Sequence, residues 1–420
     1  MRAAIGTLIV ATSIVQLANG FFGTFFSLRV AVEGFDATLA GLVLSSYFAG
    51  FTLGAVRSDR IIARIGHIRA YAAFGGLVGA ATVVMPLLVD PYAWMALRAV
   101  VGFGCAGLFV ATESWLNAKA PPAMRGRVFA IYMVGTFVAL AAGQLLIGGI
   151  DVTASGPFNA IAALFALALV MVSFTRAEPP QVSRAPKMPF REIAQAAPIA
   201  VAGCALSGLI AGAFYALVPA WMQGAGIVRE TIALFMFAAV AGGLAFQVPV
   251  GRLSDRLDRR HVVAALGVGL AAVAVALVFL PRSLPVVLPV AALLGGFMST
   301  LYPVSVAHAN DRMPPDRVVA VSSALILLSG IGSVAGPLIG TQLMVGFDIN
   351  GVLYLMAGAA LLLAVLAVGR SLLRASPAHR TRTFEVLTPQ AAPLAHDAGG
   401  HDETPLAGSD RADDRAARRS

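Results

Sequence analysis

Apolar residues in this chain come in long unbroken runs, and polar residues are confined to short segments between them. Twelve runs are long enough to cross a bilayer core, which needs roughly 20 apolar residues per helix. They cover 4–28, 38–56, 70–89, 92–116, 128–150, 157–175, 198–222, 231–250, 261–280, 285–308, 318–345 and 351–369. They lack the two-residue alternation of a barrel strand, and lipid offers no partner to an open sheet edge. The pattern therefore predicts an all-α membrane protein with twelve transmembrane helices.

The polar segments repeat. Ser58-Asp59-Arg60 returns as Ser254-Asp255-Arg256, each copy just after an apolar run in a short basic segment read as a loop. Asn117, Pro121, Pro122 and Arg125 return as Asn310, Pro314, Pro315 and Arg317. Gly102 pairs with Gly295, and Gly20 with Gly212. The chain thus divides into two parallel six-helix repeats, 1–175 and 198–370. A Pro-rich cytoplasmic linker, 176–197, joins them, and a tail, 371–420, reads as disordered because it has few bulky apolar residues. Parallel repeats in a membrane place a substrate path between the halves.

Composition agrees. The chain is 58% hydrophobic and 12% charged, against about 25% charged for a soluble domain. Its net charge of +9 follows topology and calls for no nucleic acid. With the N-terminus inside, 26 of the 30 basic residues fall in cytoplasmic segments. Arg29, Arg229 and Arg282 fall in outer loops, and Arg98 lies inside the fourth span. That asymmetry predicts both termini on the cytoplasmic side. The first span is too long for the core of a cleavable signal.

A few polar groups break the apolar runs. Arg98 lies six residues into its span, roughly 9 Å deep, and Glu113 follows roughly 22 Å further along the same helix. The two cannot pair. Gln16 and Asn19 lie in the first span, Ser207 and Tyr215 in the seventh, and Ser299, Thr300, Tyr302 and Ser305 in the tenth. Polar side chains in hydrocarbon face the bundle interior, either as packing glue or as ligands of a solute. Cys105 and Cys204 sit in apolar surroundings and read as small hydrophobes, with neither a metal site nor a cofactor expected. No nucleophile with a nearby base and no nucleotide loop is evident, so an enzyme is not expected.

Several motifs carry a family resemblance. Gly251-Arg252-Leu253-Ser254-Asp255-Arg256-Leu257-Asp258-Arg259-Arg260 resembles the loop signature of the major facilitator superfamily, with Asp258 in place of its second glycine. The copy around Asp59 and Arg60 lacks the leading glycine. Arg98 with Gly102 and Gly104 resembles the superfamily's helix-4 motif. Ser45-Ser46-Tyr47-Phe48, Gly143-Gln144, Leu217-Val218-Pro219 and Thr300-Leu301-Tyr302-Pro303 look like the YcaD-type branch.

The resemblance implies the major facilitator fold in the bacterial inner membrane, as a monomer moving a small organic solute by alternating access. Membrane lipid and, in a coupled mechanism, protons are the other partners. It implies a cytoplasmic gate at Asp59, Arg60, Asp255, Arg256, Arg259 and Arg125. It puts solute or proton coupling on Arg98, Glu113, Gln16, Asn19, Tyr215 and Tyr302. Glu113 has two readings, a cytoplasmic ion-pair cluster with Arg125, Arg127 or the arginines of the 57–69 segment, or a proton carrier. Proton coupling, facilitated diffusion and a non-transporting receptor on the same fold remain alternatives. The Gly332, Gly336 and Pro337 string in the eleventh span reads as close helix packing.

Overall fold

The computed structural model describes residues 2–174, 190–314 and 317–373. The tail and most of the expected linker lie outside the described residues. Twelve helices are long and apolar enough to cross a membrane, and no strand occurs among the described residues. The first six are α1 Arg2–Val32, α2 Ala37–Ile65, α3 His67–Val84, α4 Pro91–Lys119, α5 Arg125–Leu145 and α6 Gly156–Ser173. A short helix, α7 Phe190–Ala196, precedes the second six. These are α8 Pro198–Gly224, α9 Arg229–Arg256, α10 Arg259–Phe279, α11 Leu284–Asn310, α12 Val318–Gly346 and α13 Gly351–Leu373.

Several helices overrun the apolar runs that announced them, whereas α5 stops at Leu145, short of the end of its run at 150. α2 continues to Ile65, so Asp59 and Arg60 ride on a helix and not in a loop. Asp255 and Arg256 form the last turn of α9. Arg29, expected in an outer loop, lies buried on α1, pairs with Glu33 one turn on, and donates from Nη1 to the Val152 carbonyl at 2.9 Å. The physical reason is that hydropathy measures hydrocarbon thickness, whereas a helix ends where its last backbone groups find caps. Gly66, at φ 84°, turns the chain from α2 into α3. Asp36, Asp90 and Asp258 cap α2, α4 and α10 by accepting from backbone N–H groups at 2.8–2.9 Å.

The duplication is physical. Gly102 on α4 leaves room for the Tyr47 carbonyl of α2, and Gly295 on α11 does the same for the Ala239 carbonyl of α9. Gly20 on α1 lies against the Leu140 carbonyl of α5, and Gly212 on α8 against the Ser333 carbonyl of α12. A Cβ at any of these sites would collide with main chain. Such small-residue contacts let membrane helices approach closely where no hydrophobic effect drives them together. Gly332 and Gly336 pack in the same way against Ala205 and Leu209.

The halves meet along a seam where α2 faces α12, α5 faces α9 and α1 faces α8. Four described hydrogen bonds cross it. Ser27 donates to the Ala216 carbonyl at 2.6 Å, Ser45 to the Val334 carbonyl at 2.8 Å, Gln342 to Thr38 at 3.1 Å, and Arg229 to the Ile150 carbonyl at 2.7 Å. All four lie in the half of the bundle remote from the start of α1 and the end of α13. Asp151, beside this last contact, has its carboxyl held below the usual range by hydrogen bonds from Thr153, with Arg229 and Arg29 adding to the effect. At the other end α7 docks on the second half through buried Ile193, an Arg317–Glu192 ion pair at 2.8 Å, and an Arg312 bond to the Ala196 carbonyl at 3.3 Å.

Candidate functional site

Alongside the bonded part of the seam the halves leave two adjoining chambers. The larger is lined by Phe48, Phe51, Thr52 and Ala55 of α2, Phe137 of α5, Ser207 and Ala211 of α8, Met298, Ser299 and Tyr302 of α11, and Ile326, Ser329 and Ser333 of α12. It is mostly apolar, with hydroxyls spaced along the second half's wall. The smaller is lined by Asn19, Thr24, Leu44, Arg98, Gln144 and Ala216. Tyr47, Phe48, Leu140 and Tyr215 line both, so the two chambers adjoin and draw walls from both halves.

Arg98 is the chemical centre of the smaller chamber. Seven residues from the start of α4, it is 5% exposed. Its guanidinium carbon lies 4.8 Å from the Phe22 ring centroid, 4.4 Å from Phe26 and 4.6 Å from Tyr47. Each such contact with a desolvated cation contributes about 2 kcal/mol, against an insertion cost of about 2.5–3.5 kcal/mol for an arginine at mid-helix. The rings hold the cation without satisfying its donors. Among the described residues Arg98 has no carboxylate and no hydrogen-bond acceptor, and its Nε is buried without a partner. The Tyr47 hydroxyl donates to Asn19 Oδ1 at 3.0 Å, and Asn19 Nδ2 donates to Gln16 Oε1 at 3.3 Å. Thr24 donates to Gln144 Oε1 at 2.5 Å on the same wall.

The structure thus brings Arg98, Asn19 and Tyr215 to the smaller chamber and Tyr302 to the adjoining larger one, with Gln16 bonded to Asn19. The Tyr302 hydroxyl is buried without a hydrogen-bond partner among the described residues. Glu113 lines neither chamber. It is 1% exposed and accepts from the Tyr132 hydroxyl at 3.0 Å. On the adjoining residue, Ser114 Oγ lies 2.8 Å from His67 Nε2. The Nε of Arg125, one of the arginines expected near Glu113, has no hydrogen-bond partner among the described residues.

The charged motifs differ between the halves. Arg259 is buried between Asp255 Oδ1 at 3.3 Å and Asp311 Oδ2 at 3.1 Å. Arg260 pairs with Asp258 at 2.6 Å and donates to the Arg370 carbonyl at 3.2 Å. Asp59, Arg60, Arg125 and Arg256 have no described ion pair. Asp311, Tyr132, Phe22 and Phe26 escaped the sequence reading. A helical-face count would have found the two phenylalanines, which lie three and seven residues beyond Asn19. No cluster of three or more His, Cys, Asp or Glu that could hold a metal lies among the described residues.

A duplicated twelve-helix bundle with a chamber along the seam of its halves is the architecture of a membrane transporter of small molecules. The family model of the Major Facilitator Superfamily matches residues 8–244 and 200–396, and the chain belongs to that superfamily. It is 29% identical over 351 residues to the uncharacterized MFS-type transporter YcaD of Shigella flexneri serotype 5b (strain 8401), covering 83% of this chain and 90% of the relative. The YcaD of Escherichia coli O9:H4 (strain HS) matches at the same identity and coverage. The fold is similar to the crystal structure of the nucleoside transporter NupG, with TM-score 0.71, 12% identity, and coverage of 87% of this chain and 98% of that one. It is also similar to a bacterial homologue of the human lysosomal transporter Spinster in an inward-facing, occupied conformation, with TM-score 0.70, 18% identity, and coverage of 90% and 99%. Twelve apolar helices and this membership make the chain a multi-pass protein of the bacterial inner membrane.

Proposed function

We propose that this chain moves a small organic solute across the inner membrane by alternating access, with residues 1–175 and 198–370 as the two rocking bodies. The observation that carries the reading is the chamber itself. It is walled by both halves, holds an arginine with no hydrogen-bond acceptor among the described residues, and lies beside four described bonds that tie the seam. The weight of basic residues around both termini puts that bonded side outside. The chamber then opens toward the cytoplasm. Closing it requires the far bonds to break and the basic ends of the halves to meet, which gives the gate role to Asp255, Arg256 and Arg259 with Asp59, Arg60 and Arg125. Proton coupling is supported by Glu113, a carboxyl buried in α4 beside Tyr132.

Reconstitution tests this. Liposomes preloaded with an unlabelled solute should take up the labelled solute faster than empty liposomes, and collapse of an imposed pH gradient should slow net accumulation. A protein that binds a solute without counterflow is a receptor and not a transporter.

A further inference from the structure

The chambers differ in chemistry, and the difference names a class of solute. The small one offers a cation whose faces are covered by three rings and whose in-plane donors find no acceptor among the described residues. A guanidinium edge presents parallel N–H groups that match the two oxygens of a carboxylate. Asn19 and Gln144 stand on the same wall and add polar contacts. The large chamber, which shares Tyr47 and Tyr215 with the small one, is lined mainly by Phe48, Phe51, Phe137, Ala211, Met298 and Ile326. Thr52, Ser207, Ser299, Ser329 and Ser333 add a few hydroxyls to these apolar walls.

We infer that the solute is an amphipathic organic monoanion, its carboxylate held at the edge of Arg98 and its apolar or aromatic body lying in the larger chamber. A single head charge follows from a single fixed cation, because a second buried charge would find no partner. An amine is repelled by the guanidinium. A small hydrophilic acid would leave the apolar chamber empty. This rests on the chamber being the solute site, as in the transporter reading, and adds the chemical class.

The test is a binding titration of purified full-length protein with benzoate, phenylacetate and naphthylacetate, each beside its matched amide and amine, read by thermal shift and equilibrium dialysis. The acids should stabilise the protein, more strongly as the body grows. Each amide and amine should bind about tenfold or more weakly, the worth of one charge-assisted hydrogen bond. Arg98→Gln should erase the preference for acid over amide. Arg98→Lys, which keeps the charge and loses the fork, should keep a reduced preference. Ala211→Phe, which fills the larger chamber, should weaken naphthylacetate far more than benzoate, and it serves independently if Arg98→Gln does not fold. The assignment is overturned if amides bind wild-type protein as well as acids do. It is also overturned if a folded Arg98→Gln keeps the preference, or if no acid binds at millimolar concentration. Acid binding without counterflow would remove the transporter reading and leave this assignment standing. Counterflow of neutral solutes with no preference for acids would do the reverse.

Discussion

The guanidinium carbon of Arg98 lies 4.6 Å from the centre of the Tyr47 ring, and the hydroxyl of that ring donates to Asn19. One tyrosine therefore covers the cation and orients a side-chain amide of the same chamber. Arg98→Ala should abolish transport, and Arg98→Lys should retain a fraction of it, with both reaching the membrane. Tyr47→Phe keeps the ring and loses only the hydroxyl bond, so its loss should be several-fold and no more. Uptake rates normalised to protein in proteoliposomes decide this; wild-type turnover by Arg98→Ala would return Arg98 to a packing role.

The ion pairs around Arg259 distinguish the two motif copies. Asp255→Asn removes a carboxylate that Arg259 contacts, whereas Asp59 has no described ion pair. Asp255→Asn should lower transport by about tenfold, and Asp59→Asn by less than about threefold, on the scale of one charged hydrogen bond. Equal, wild-type rates in both variants would dismiss the gate assignment.

Glu113 and Tyr132 are bonded at 3.0 Å inside the membrane. If Glu113 carries the coupled proton, Glu113→Gln should stop gradient-driven accumulation while exchange of labelled for unlabelled solute persists. Tyr132→Phe should shift the pH profile of accumulation without abolishing it. Accumulation by Glu113→Gln at the wild-type level would exclude the proton role.

The duplicated glycines predict a symmetric stability defect. Gly102→Ala and Gly295→Ala each drive a Cβ into a main-chain carbonyl, whereas a Cβ at Gly76 meets nothing within 4 Å. The two α4 and α11 variants should lose about 3 kcal/mol or more through overpacking. Gly76→Ala should be neutral or gain about 1 kcal/mol in helix propensity. Detergent-resistant yield and thermal midpoints give the comparison.

Topology is open to direct measurement. Reporter fusions at Gly34, Gly226 and Asn350 should read outside, and those at Arg64 and Arg184 inside. The reverse pattern would invert the proposed gate and place the chamber's mouth outside.

The sequence by itself determined the span count, the parallel duplication and the fold, because lipid imposes both helix and length on any long apolar run. It also marked Arg98, a charge too costly in a span to be incidental. The glycine pairs Gly20 with Gly212 and Gly102 with Gly295 were legible as echoes, and their packing gives the reason. The packing decided what the echoes could not. Arg98 stands at the same offset from Gly102 as Ala291 does from Gly295, so the repeat carries the helix contacts and the chemistry sits in its asymmetry. That Phe22, Phe26 and Tyr47 enclose Arg98, that Glu113 meets Tyr132, and that Arg259 lies between Asp255 and Asp311 are contacts between distant segments. A hydropathy pattern records how deep a residue lies and leaves open which neighbour it faces. Facing is set by helix rotation and by the approach of other helices, and only the tertiary structure fixes both.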